Sequence, residues 1–224
     1  MNAQKKWDQR QTVTAIALIA ILLNILVTKV MLQLNPALDA QNDASLINKI
    51  YFVILGVAFV FLLWKGPLKM RWDALKPGSK KEFLREMAQA AGISAALIVL
   101  MILCRLILNA KNPEVNARPF FGLYLGIHGR WFYPFSAVLQ ELVIKGLMQD
   151  NFRCLSPDGN RHFTVMVNAI FFACLHMNFP LYYLIGAGIL CAGTGYLYER
   201  DRNIWGSALI HFVIGFMPRA LGLK

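Results

Sequence analysis

An acid, a base and an amide stand where an apolar helix is expected. Gln140, Glu141 and Lys145 interrupt residues 136–155, a run otherwise suited to the interior of a membrane. A charge in lipid costs about 2.5–3.5 kcal/mol on insertion scales, so such groups persist mainly where they face a bundle interior or serve a reaction. Glu141 precedes Lys145 by four residues, acid first, the favoured order for a helical ion pair. Gln140 lies about 100° round the helix from Glu141 and needs another partner. Two later histidines on separate apolar helices, His176 and His211, are the candidates to supply it. A water held between a carboxyl group and an imidazole is a general-base arrangement, and a further imidazole can support an oxyanion. Two histidines and a carboxylate also form a known zinc set. The chain has no H-E-x-x-H spacing, so no cofactor is expected and zinc is kept as the alternative.

The elements that must hold these groups follow from composition. The chain has 224 residues, 57% hydrophobic and 16% charged, with a mean hydropathy of +0.49. Soluble domains carry nearer about 25% charged residues. Several apolar runs reach the roughly 20 residues that cross a bilayer. The expectation is an all-α, polytopic transmembrane helical bundle of about seven spans plus one interfacial or re-entrant segment. No long polar linker divides residues 1–224, which reads as a single integral membrane domain. The spans are placed at residues 12–34, 49–64, 90–108, 131–152, 163–177, 181–198 and 204–221. Residues 119–129, with three glycines and His128, are too short to cross.

The formal charge of +11 does not point to nucleic acid, because no motif of that class is present. Basic residues instead flank spans and mark the cytoplasmic side. Lys65, Lys69, Arg71, Lys76, Lys80, Lys81 and Arg85 form the strongest such signal. With the basic leader they place the N-terminus in the cytoplasm. Ser79 and Glu82 have capping-box spacing at the start of the third span. Arg105 near its end can snorkel to the interface. Paired glycines, Gly186 with Gly188 and Gly193 with Gly195, suit close helix packing. Cys104, Cys154, Cys174 and Cys191 contain no C-x-x-C pair and read as small buried hydrophobes.

Taken in order, the polar clusters resemble the CPBP family of intramembrane proteases. That family includes the CAAX prenyl endopeptidase and bacterial relatives tied to bacteriocin processing and immunity. Its motifs are E-E-x-x-x-R, F-x-x-x-H and H-x-x-x-N on three membrane helices. Here the first is Gln140, Glu141 and Lys145, followed by Gly146; the second is Phe172 to His176; the third is His211 to Gly215. The resemblance covers residues 136–215, within a catalytic-type core at 131–217. It implies a glutamic-type intramembrane endopeptidase that hydrolyses a peptide bond near the membrane surface. Water would be activated by His and carboxyl groups, with no covalent intermediate. His176 would position or activate the water, and His211 would support the oxyanion. The implied partners are membrane lipids and a peptide or membrane-protein substrate, in a bacterial cytoplasmic membrane.

Three positions depart from the family pattern. Gln140 stands where the family has its base, and an amide cannot accept a proton at neutral pH. Lys145 replaces an arginine and loses the bidentate fork. Gly215 replaces an asparagine, which removes a side-chain donor from the implied oxyanion site. Three explanations stay open on the sequence. Glu141 could turn inward as a substitute base. The chain could be a silent relative that binds a peptide or partner helix, as an immunity or maturation factor would. Gln140 could be an engineered Glu→Gln change.

Overall fold

The computed structural model describes residues 8–34, 53–54, 57, 60–61, 63–122, 132–176 and 181–223. Most of the second expected span, the loop before it, most of the re-entrant segment with His128, and the side chain of Asn24 lie outside the described residues. Every long element among the described residues is helical. We label them α1 (Gln9–Leu34), α2 (Lys80–Lys111), α3 (Tyr133–Glu141), α4 (Arg161–Cys174), α5 (Leu181–Asp201) and α6 (Trp205–Ala220). A π-helix, Leu142–Gln149, continues α3 directly.

The third span begins at the expected capping box. α2 is one helix of 32 residues, and Ser79 and Glu82 form the full capping box at its start. Ser79 Oγ accepts from the Glu82 N–H while the Glu82 carboxylate accepts from the Ser79 N–H, so two otherwise orphaned donors are satisfied. Among the described residues α2 is the helix long and apolar enough to cross a membrane, by length and composition.

The helices group into two compact units, residues 1–71 with 147–195 and residues 72–146 with 196–224. In the first, Phe152 and Phe171 meet edge-on at 5.6 Å and gather Leu18, Leu22 and Met148 around them. Asn151 is the polar hub there. Its Oδ1 accepts from Arg10 of α1 and from the Lys69 N–H, and its Nδ2 donates to the carbonyls of Lys69 and Leu147. One buried amide thus ties three chain segments, in a setting where each unmet bond is costly. A second buried network joins Asn168 of α4 to Gln149, and Gln149 to the Gly195 carbonyl. Gly188 serves the close packing expected of it, since a Cβ there would touch Ala173 at 3.4 Å, whereas Gly186 and Gly193 face open space.

In the second unit α6 packs against α2 and α3. Gly206 lets α6 approach Ala90 of α2. Glu86 of α2, buried, accepts from Asn203 Nδ2 just before α6, and the Trp205 indole N–H donates to the Leu75 carbonyl. α6 ends in a Schellman turn: Leu223 N–H returns to the Pro218 carbonyl and Gly222, at φ 61°, to the Arg219 carbonyl. Arg105 does not snorkel. It is fully buried and donates to the carbonyls of Gly222 and Arg118, acceptors that the end of α6 and its neighbouring connection would otherwise leave unmet.

Candidate active site

α3 opens with Pro134 in its first turn, where a missing N–H costs nothing. It buries Ala137 and, one turn later, Glu141. Gln140, about 100° away, falls on the outside. The amide expected to meet a histidine donates instead to Ser136 Oγ, one turn back, at 2.8 Å. The carboxylate of Glu141 is 2% exposed, and its Oε1 accepts from Nδ1–H of His211 at 2.7 Å. His211 is itself 7% exposed, on the buried side of α6. The expected Glu141–Lys145 pair gives way to this contact between helices. The helix changes to π geometry immediately after Glu141, so the four-residue spacing no longer stacks the two side chains as in an α-helix. Lys145 is fully buried within the π segment.

The second carboxylate oxygen of Glu141, Oε2, is buried and has no hydrogen-bond partner among the described residues. A buried acceptor left unmet costs about 1–3 kcal/mol, more when charged.

His176 belongs to the other unit. It follows α4, where its Nδ1–H donates to the Phe172 carbonyl at 2.9 Å and its ring packs on Phe172 at 4.7 Å. The F-x-x-x-H spacing is thus one helical turn in which the first residue supplies both a carbonyl and a ring to the second. Gly215, one turn beyond His211, has no space for a side chain: a Cβ there would coincide with Tyr133 Oη and lie 2.5 Å from Cζ. Tyr133 of α3 also packs on Phe212, with ring centroids 5.9 Å apart. The motifs did not single out Tyr133. A glycine in the place of a motif asparagine was the available signal, because packing requires something to fill the space. Among the described residues no three His, Cys, Asp or Glu side chains gather closely enough to share a metal ion.

Residues 122–217 match the family model described as type II CAAX prenyl endopeptidase Rce1-like. The matched segment contains all three polar motifs and is consistent with the CPBP family of membrane proteases. No curated protein and no solved structure matches the chain.

Proposed function

Starting from a segment of type II CAAX prenyl endopeptidase type, we propose that the protein is a membrane endopeptidase in which Glu141 serves as the general base. The observation that carries this is the buried Glu141–His211 pair with its unpartnered Oε2. Water bonded to Oε2 gives up a proton to the carboxylate as its oxygen attacks the carbonyl carbon of the scissile peptide. His211 holds Oε1 through Nδ1–H, which fixes the carboxylate. The tetrahedral intermediate then collapses: the C–N bond breaks and Glu141 returns the proton to the departing amine. The F-x-x-x-H motif makes His176 a further proposed site residue, and its Nδ1–H donates to the Phe172 carbonyl.

Exposed apolar side chains support a membrane setting. On α2, Val99, Leu100, Leu103, Leu106 and Ile107 face outward, and Ile185 and Ile189 do so on α5. Soluble proteins rarely present apolar faces so continuous, whereas lipid favours them. The basic stretch from Lys65 to Arg85 suits the cytoplasmic face of a bacterial membrane.

The test is cleavage in proteoliposomes of peptides ending in Cys-a-a-X, with and without an S-prenyl group, beside a set of transmembrane peptides. Cleavage by the parent that fails in Glu141→Gln and His176→Ala is the expected result. A second proposal, a silent relative that only binds a peptide, draws on Gln140 lying exposed and tied to Ser136. It predicts peptide binding without cleavage by the parent or any of the variants.

A further inference from the structure

We propose that the Tyr133 hydroxyl is a catalytic hydrogen-bond donor to the carbonyl oxygen of the scissile peptide. This rests on the endopeptidase function above and adds a residue to it. Among the contacts between α3 and α6 are two on the polar groups. Glu141 meets His211, and Tyr133 meets the backbone at Gly215, one turn further along α6. The phenol lies so close to the backbone that glycine is the residue compatible with it there. Four residues of helix rise about 6 Å, so the hydroxyl stands about one turn from the His211 backbone. A peptide unit lying along this interval would have its carbon towards the carboxylate and its oxygen towards the phenol.

The hydroxyl is also uncommitted. Tyr133 is half-buried, and among the described residues its Oη has no hydrogen-bond partner. Its ring is fixed by Phe212, which in turn stacks on Phe216 at 5.5 Å. A held ring and an idle O–H on the helix that also carries Glu141 suit a donor to a carbonyl that becomes an oxyanion. The side chain absent at position 215 is therefore replaced by a donor that arrives from the facing helix.

The experiment compares parent, Tyr133→Phe, Gly215→Ala and the double variant in proteoliposomes, reading kcat and KM for the best peptide substrate alongside thermal unfolding. Phenylalanine keeps the ring packing and removes the O–H. Tyr133→Phe is expected to lower kcat by roughly 10²–10³ with KM within a few fold and an unchanged melting temperature. Gly215→Ala displaces the phenol and is expected to lower kcat similarly, with the double variant no worse than the poorer single variant. A parent that cleaves while Tyr133→Phe keeps its kcat overturns the assignment of Tyr133 and leaves the endopeptidase standing. A kcat loss matched by a lowered melting temperature in Tyr133→Phe overturns it too. A parent that cleaves nothing overturns the endopeptidase, and this donor with it.

Discussion

Moving the carboxylate by one residue is the sharpest perturbation. Glu141→Gln keeps the shape and an acceptor for His211 Nδ1–H, but it cannot take a proton from water. General-base assistance is worth about 10²–10⁴ in rate, which at 1.36 kcal/mol per decade is about 2.7–5.4 kcal/mol of barrier. The effect on folding is smaller. A hydrogen bond to a charged acceptor, worth about 1.5–3 kcal/mol, becomes a neutral one worth about 0.5–1.5 kcal/mol. The variant should therefore fold, with a net stability loss of about 1 kcal/mol and kcat down at least a hundredfold. The decisive comparison is Gln140→Glu combined with Glu141→Gln, which has the same charge as the parent and places the carboxylate where the family motif has its first glutamate. Position 140 is exposed and bonded to Ser136, so this double variant should stay as slow as Glu141→Gln. The assay is single-turnover cleavage with purified protein in proteoliposomes, beside thermal unfolding in detergent. Parental rates in Glu141→Gln, or full recovery in the double variant, would refute the assignment of the base.

Other consequences are structural. Asn151→Ala removes the amide that ties Arg10, Lys69 and Leu147 together, and should cost about 2–3 kcal/mol in detergent unfolding. Arg105→Met leaves the Gly222 and Arg118 carbonyls unmet in a buried place. It should destabilise by about 2–4 kcal/mol and raise amide exchange at the end of α6. Ser79→Ala breaks the capping box and should cost about 1 kcal/mol, read as faster exchange in the first turn of α2. Enlarging Gly206 to leucine should separate α6 from Ala90 and lower the melting temperature, whereas alanine there meets Ala90 Cβ at an ordinary 3.6 Å.

Composition and spacing by themselves determined that the described chain is helical, and the three motifs pointed to the kind of family whose model matches residues 122–217. Polar residues at isolated places in apolar runs stand out because burying them is costly, so Glu141, His176 and His211 were visible before any coordinates. Spacing could not determine which of two adjacent residues turns inward. Gln140 and Glu141 are separated by a fixed rotation, but the phase of the helix is set by what it packs against, here the face carrying Ala137. Nor could it show that the helix widens to a π turn after Glu141, or that the carboxylate meets His211 of a neighbouring helix. Arg105 illustrates the same limit. A long cation near a helix end can reach water or satisfy carbonyls, and only the positions of Arg118 and Gly222 decide which. Tyr133 depended entirely on tertiary structure. Its significance lies in a contact between residues 82 positions apart, made possible by a glycine that lacks the side chain the phenol displaces.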